Sequence, residues 1–324
     1  MSKETINKVR RTTSSLILRS RSFGFNVAFW SFLSTYHNAL HGFSRVILRK
    51  KHKSIKDYLY HNYTDIINRY DKRATGQILA IDNQSPIWIC WWDGVENMPA
   101  IIKACFHSVC INSAGHQVNL ITKSNYRQYV QIPANIVEKL DQKIISITHF
   151  SDILRVSLLC QHGGFWMDAT ILMTKPLSFI QDAGFFTIKH KDNGAFVSEC
   201  RWTGFCIGGN RGNILFNFLT DMLFEYWRQE NSLIEYLLLD YLIAIAYESV
   251  SSVKQMVDRN PFNNLQLYGI RCYLNSEFNQ ELLETICSDT SLHKLTWKDS
   301  IQTTTFDGKP TFYGHILTEY TPDP

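Results

Sequence analysis

The chain has 324 residues, 45% hydrophobic and 19% charged, enough apolar material for one large core or two modest ones, which excludes intrinsic disorder. No short repeat runs along it and no stretch of about 18 uncharged apolar residues occurs, so a solenoid and a bilayer-spanning helix are excluded as well. The net charge of +4 conceals an asymmetry: residues 1–56 hold twelve Lys or Arg against the single acid Glu4, so this front carries +11 and residues 57–324 carry −7.

Within the front, an aromatic stretch from Phe23 to Tyr36 lies between Arg19/Arg21 and the basic run Arg45 to Lys53. A basic side chain near an anionic leaflet contributes roughly 1 kcal/mol, and aromatic rings settle at headgroup depth. The segment therefore reads first as a peripheral contact with the anionic inner face of the plasma membrane. An aromatic helix packed on the main domain is the alternative, and a nucleic-acid arm lacks any accompanying motif. Arg19, Arg21 and Arg45 interrupt a signal-peptide core. The eight cysteines form no C-x-x-C pair and read as free thiols of a cytoplasmic chain rather than a disulfide framework or a zinc site.

Apolar residues at helical spacing (Ile55, Leu59, Ile66, Ile67) predict a helix over 55–70, ending near Lys72 and Gly76. The run from Ile87 to Trp92 reads as a buried strand, ended by Asp93-Gly94. Pro99 opens a helix through 100–111, closed by Gly115, and Gln117 to Thr122 reads as a second strand. An apolar segment, Lys143 to Ile147, precedes a helix from Ser151, read as its N-cap, to His162. Gly163-Gly164 stops that helix, and a strand Phe165 to Met167 ends at Asp168. Phe185 to Ile188 reads as a strand, Ile207 to Asn213 as a loop, and 214–227 and 233–247 as helices. Strand and helix alternate as in an open α/β sheet, whose ligands lie at the carboxyl ends of the strands. That rule places Trp92, Asp93 and Asp168 on one rim.

The densest signal runs from Ser151 to Thr170. Asp152 and Arg155 are three apart and share a helix face, while Leu154, Leu158 and Leu159 face inward. Gly163 suits a helix C-cap, and Gly164 admits close approach of backbone or ligand. Asp168 emerges where its strand ends, so a carboxylate, a guanidinium and a second carboxylate reach one small volume. A nucleotide-sugar wants this set: its diphosphate needs positive charge or a divalent cation, and its hydroxyls suit Asp and Arg. Asp240, one acid inside an apolar helix, either pairs in the core or reaches a sugar.

The strings Ser151-Asp-Ile-Leu-Arg155 and Gly163-Gly-Phe-Trp-Met-Asp-Ala-Thr170, with Ile87 to Gly94, Met98 to Cys105 and Ile171 to Leu177, resemble the capsular polysaccharide synthesis glycosyltransferase family. That family is similar to the initiating α-1,6-mannosyltransferases and to the glucosyltransferase domains of clostridial toxins. The likeness covers about residues 85–320. It implies a GT-A-type open mixed sheet flanked by helices, here with a basic helical extension over 1–76 and a catalytic domain over 77–324, divided into a donor lobe (about 85–180) and an acceptor lobe (about 181–324). It also implies a nucleotide-sugar donor, with a UDP-hexose the first to test, and retention of anomeric configuration.

By position, Trp92 resembles the tryptophan that stacks on the donor base, with Trp91 and Asp93 beside it. Asp152 and Arg155 resemble the pair holding the donor sugar, and Asp168 the first carboxylate of an Asp-x-Asp motif that meets Mn²⁺ or Mg²⁺ and the diphosphate. Thr170 stands where related families place the second Asp. Gly164 belongs to the same motif, and Lys298 (in Lys294 to Lys298) and His315 resemble late residues that close the diphosphate end. The expected function is retaining hexosyl transfer to a lipid-linked oligosaccharide in capsule or surface polysaccharide synthesis; a non-catalytic assembly scaffold and a surface-polymer phosphotransferase are the alternatives.

Overall fold

The computed structural model describes residues 3–36, 43–71, 81, 84–176, 184–190 and 196–321, with side chains from residue 16 onward. The basic side chains of Lys3, Lys8, Arg10 and Arg11 and the helix end expected at Lys72–Gly76 lie outside the described residues.

Three helices form the front: α1 (Lys3–Ser34), α2 (Ser44–Asn62) and α3 (Thr64–Asp71). Gly24, at φ 82° and ψ 160°, breaks α1 in a backbone region that is essentially glycine's alone. α1 packs on α2, with Phe23 edge-on to Tyr58 at 5.4 Å, and α2 and α3 pack on the main body. The buried stripe Ile55, Leu59, Ile66 and Ile67 drives that docking.

The main body follows the expected alternation. In chain order it comprises β1 (Ile87–Cys90), α4 (Ala100–Ile111), β2 (Val118–Ile121), α5 (Tyr126–Tyr129), α6 (Ala134–Asp141), α7 (Ile147–His162), β3 (Gly164–Met167), β4 (Ile171–Met173), β5 (Phe185–Thr187), β6 (Cys206–Gly209), α8 (Ile214–Gln229), α9 (Leu238–Ser249), α10 (Ser251–Arg259), α11 (Gly269–Cys272), α12 (Gln280–Cys287), β7 (Leu292–Lys294) and α13 (Phe312–Tyr320). The main sheet has the order β2-β1-β3-β6-β5. β1 is parallel to β2 and β3, and β6 is antiparallel to β3 and β5, so the sheet is mixed. β4 and β7 form a separate antiparallel pair. Side chains alternate across the sheet: Trp88, Trp166 and Ile207 enter the core beneath α7, α8 and α9, while Ile89, Phe165 and Met167 enter the core beneath α4 and the β4–β7 pair.

Three local expectations are corrected. The loop expected at Ile207–Asn213 begins as strand β6. Gly208 reads like a turn residue, yet a Cβ there would lie 2.5 Å from the Phe165 ring and 2.6 Å from the Gly164 carbonyl oxygen, so its smallness admits a neighbouring strand. Helix α7 starts four residues before Ser151. Its N-cap is Ser146, whose Oγ accepts the His149 N–H at 3.2 Å, while the Ser151 hydroxyl donates back to the Thr148 carbonyl. The Lys143–Ile147 segment consequently leads into a helix. Finally, α9 starts at Leu238, and residues 230–237 form an irregular connection.

All eight cysteines are free thiols. Among the described residues no helix is long and apolar enough to cross a membrane.

Candidate active site

Parallel β1 and β3 end on the same edge of the sheet, which is why Trp91-Trp92 and Asp168 share a rim. The turn between α7 and β3 sets the rest of the geometry. The Gly163 N–H closes α7 on the Leu159 carbonyl at 3.0 Å, with φ at 70°. Gly164 follows at φ 94°, against the Pro86 carbonyl oxygen, which accepts the Phe165 N–H at 2.9 Å. The chain thus reverses with no spare residue. Eight helical residues back from Gly163 span about 12 Å and the four residues of β3 about 13 Å, so Arg155 on α7 stands level with Asp168.

The two side chains meet. Arg155 Nη2 donates to Asp168 Oδ1 at 3.2 Å and Nη1 pairs with Asp152 Oδ1 at 3.0 Å, with the guanidinium 4.9 Å from the Trp166 ring centre. The Trp166 indole N–H donates to the same Asp168 oxygen at 3.0 Å. Lys294, on β7, donates to Asp168 Oδ2 at 2.8 Å and lies 4.5 Å from the Phe205 ring centre. Arg155 is 7% exposed and Asp168 30%, so the carboxylate forms the open side of the cluster. Burial alone would raise the Asp168 pKa, but the Lys294 and Arg155 charges outweigh it and hold the carboxyl below its ordinary value.

The polar chain continues inward. Asp152 Oδ2 lies 3.4 Å from His149 Nδ1, and the Trp227 indole N–H donates to His149 Nε2 at 2.9 Å. An indole can only donate, so Nε2 accepts and Nδ1 carries the proton facing Asp152. Trp227, His149, Asp152, Arg155, Asp168 and Lys294 therefore form one continuous train from core to rim.

Asp240 flanks this train from α9, accepting the Trp202 indole N–H at 3.0 Å. Burial first, then the Asp152 charge, pushes its carboxyl up to about 6 against weaker opposition from Trp202 and Arg155. A pKa raised on folding means that the native state takes up more protons, so stability is fully present below the unfolded value near 4 and is lost as pH rises through about 6. Asp240→Asn keeps an acceptor for Trp202 without the charge. We expect it to raise the Tm at pH 7.5 by about 2–4 °C and to leave it unchanged below pH 4, as read by a pH series of thermal melts. Exposed Tyr236 stands nearby, its phenol pushed up by partial burial and by the Asp152 and Asp168 charges.

The remaining expected residues divide. Trp92 is wedged by Tyr126 (ring centres 5.5 Å) and Phe150 (5.4 Å), and Trp91 sits edge-on to Trp297 at 5.8 Å. Lys298 lies 5.9 Å from the Trp297 ring centre. Asp93 is exposed on the rim, its carbonyl accepting the Asn97 side chain. Thr170 lies in the tight turn from Asp168 to Ile171, and its carbonyl accepts the Leu295 N–H at 2.9 Å. One assignment changes. Gly164 is buried against the Pro86 backbone, and the close approach it permits is that of a strand, not of a ligand. His315, on α13, stacks face to face on Phe278 with ring centres 3.7 Å apart.

Lys294, Trp166, His149 and Tyr236 belong to the site by geometry and were not singled out from sequence. Only the β4–β7 register, which pairs Lys294 with Ile171, distinguishes it from Lys298.

The donor set does not fit the expected Mn²⁺ or Mg²⁺. Both Asp168 oxygens are engaged by cationic side chains, and Thr170 brings a hydroxyl where a second carboxylate would stand, which leaves one already-paired carboxylate for the ion. Nor is there an activated thiolate: burial, with the Asp168 charge second, pushes Cys90 and Cys206 up to about 12.

Residues 37–316 match a family model described as capsular polysaccharide synthesis protein. Among solved structures the chain is similar to one titled PaToxG Glycosyltransferase, at 16% identity and a TM-score of 0.39, over 71% of this chain and 92% of that one. No curated protein matches it.

Proposed function

The chain belongs to the capsular polysaccharide synthesis protein family, and from that premise we propose that it is a retaining glycosyltransferase moving a hexose from a nucleotide-sugar, first a UDP-hexose, to a lipid-linked saccharide. The observation that carries this reading is the half-open Asp168 carboxylate held between Arg155 and Lys294, beside the rim tryptophans Trp91 and Trp92. Such a rim offers fixed positive charge to a diphosphate, acids to sugar hydroxyls and an indole face to a base.

In this mechanism the sugar C1–O bond breaks with its electron pair going to the diphosphate oxygen. Positive charge develops on the sugar ring and negative charge on the leaving group. Arg155 and Lys294 face the developing negative charge, while Asp152 and Asp240 orient the ring. The acceptor hydroxyl attacks C1 from the face of departure and passes its proton to the leaving diphosphate oxygen, so no protein nucleophile is required. The test is incubation of the purified protein with UDP-, GDP- and CDP-sugars and a lipid-linked acceptor. Release of free nucleoside diphosphate together with a glycosylated acceptor supports the reading. Release of monophosphate points to phosphotransfer, and no reaction with any donor rejects an enzymatic role.

The front supports the lipid-linked acceptor. Ile17, Leu18, Phe25, Phe29, Phe43 and Val46 are exposed apolar residues on α1 and at the start of α2, among exposed Arg21, Arg45, Arg49 and Lys50. The same two helices are tied to the 230–237 connection that carries Tyr236: Lys51 and Arg19 pair with Glu235 at 3.0 and 3.6 Å, and Tyr58 donates to Glu230. A membrane-seated front would thus hold the mouth of the site near a lipid-borne substrate. Leu18 is 62% and Phe25 69% exposed, so the double variant Leu18→Asp/Phe25→Asp leaves the fold intact. Burying two such side chains contributes roughly 1.5–3 kcal/mol each. The variant is expected to lose at least about tenfold in affinity for vesicles containing anionic phospholipid; unchanged sedimentation with vesicles would reject the membrane contact.

A further inference from the structure

We propose that Lys294, together with Arg155, supplies the positive charge for the donor diphosphate, so that donor binding and leaving-group departure need no divalent cation. This rests on the nucleotide-sugar reading above and deepens it by removing the divalent cation from the diphosphate site.

Lys294 is not a loose surface lysine. Its strand pairs with β4 in a register that sets Leu172 opposite His293 and Ile171 opposite Lys294, and the Leu295 N–H donates to the Thr170 carbonyl at 2.9 Å. These bonds fasten the Lys294 backbone to the very turn that carries Asp168. The side chain, 18% exposed, crosses the Phe205 ring and ends on Asp168 Oδ2. Phe205 is itself held there, since its carbonyl accepts the Asp168 N–H at 2.8 Å. Main-chain bonds and an aromatic floor therefore aim one ammonium at the open edge of the site.

Charge completes the argument. Asp152 and Asp168 are balanced by Arg155 and Lys294, so an entering dication would meet a single carboxylate already shared by two cationic donors. An ammonium has three N–H donors, and Asp168 takes one, which leaves two for phosphate oxygens without dismantling the cluster. In this arrangement Asp168 is a positioning residue: it holds Lys294 and Arg155 side by side at a spacing their mutual repulsion would not otherwise permit. As the sugar–oxygen bond breaks, the electron pair moves onto a diphosphate oxygen already facing both cations, and the acceptor's proton neutralises that oxygen.

The experiment is calorimetric titration of the EDTA-treated full chain with UDP, GDP and CDP and with each matching nucleoside, with and without millimolar Mn²⁺ or Mg²⁺. The proposal expects the best nucleoside diphosphate to bind equally well, within about threefold, in either condition. It expects Lys294→Met to weaken that diphosphate at least about tenfold, as for a lost charged hydrogen bond, while leaving the nucleoside unaffected. Lys294→Arg should recover part of the loss. Tightening of the wild type by tenfold or more on adding metal overturns the proposal while leaving the transferase reading in place. Equal weakening of nucleoside and diphosphate in Lys294→Met, or weakening of neither, overturns it too. Binding of no nucleoside diphosphate in either condition overturns both readings.

Discussion

Asp168→Asn is expected to lower sugar transfer by at least about a hundredfold while the protein still folds. The amide keeps the shape and can still accept at Oδ1, but the negative charge between two cations is gone. Arg155 Nη2 and Lys294 Nζ, now 3.2 and 2.8 Å from the oxygens of Asp168, would face a neutral group whose nitrogen can only donate. Breaking a partly buried ion pair on one side costs about 3–5 kcal/mol, and a similar loss at the transition state is two to four decades in rate. The two cations then repel, and neither stays aimed at the leaving group. Release of nucleoside diphosphate by wild type and variant, normalised to folded protein by circular dichroism, measures the effect; activity within tenfold of wild type would remove Asp168 from the mechanism. A second readout follows from linkage. The Asp168 pKa is depressed by folding, so its stabilising contribution is present above the unfolded value near 4 and is lost as pH falls through the lower native value. Wild type should therefore lose its advantage over Asp168→Asn as melts are taken from pH 6 to pH 3.

Gly164→Ala is expected to be severely destabilising. A Cβ at this position would lie 2.0 Å from the Pro86 carbonyl oxygen and 3.0 Å from its carbonyl carbon, and φ is 94°. The obstacle is the backbone entering β1, which the Phe165 N–H already bonds at 2.9 Å, so no side chain can swing aside. Relief requires parting β1 from β3, and with them the Trp92 and Asp168 ends of the rim. A loss above about 4 kcal/mol is expected, seen as a fall in Tm on the order of 10 °C or as failure to recover soluble protein. Gly212→Ala is the control. Its φ is also positive, 72°, but nothing lies within 4 Å, so only the backbone strain of about 1 kcal/mol should appear. Equal melting temperatures for the two variants would show that the packing argument is wrong.

Much of the fold and part of the site can be read along the chain. The continuous apolar runs at Ile87–Cys90 and Gly164–Met167 and the helical spacing in α4 and α7 are local consequences of which faces must be buried, and they survive in the structure to within a few residues. The pairing of Asp152 with Arg155 is helix geometry, and the meeting of Arg155 with Asp168 follows from a glycine turn between a helix and a strand of matched length. Where local reading failed, a nonlocal contact prevailed. Gly208 and Gly209 look like turn residues until Phe165 and Phe216 arrive to fill the space they leave.

Lys294 shows the limit best. It lies 126 residues beyond Asp168, and nothing in its neighbourhood distinguishes it from Lys298. Only the register of β7 on β4 selects it. Register is decided by how two strands, far apart in sequence, bury their apolar faces together. Residue types and short spacings thus determined the sheet, the α7–β3 turn and the carboxylate–guanidinium pair. Which cation completes the cluster, and which acid is pressed toward neutrality beside it, was decided only when the folded chain set distant charges within a few ångströms of one another and away from water.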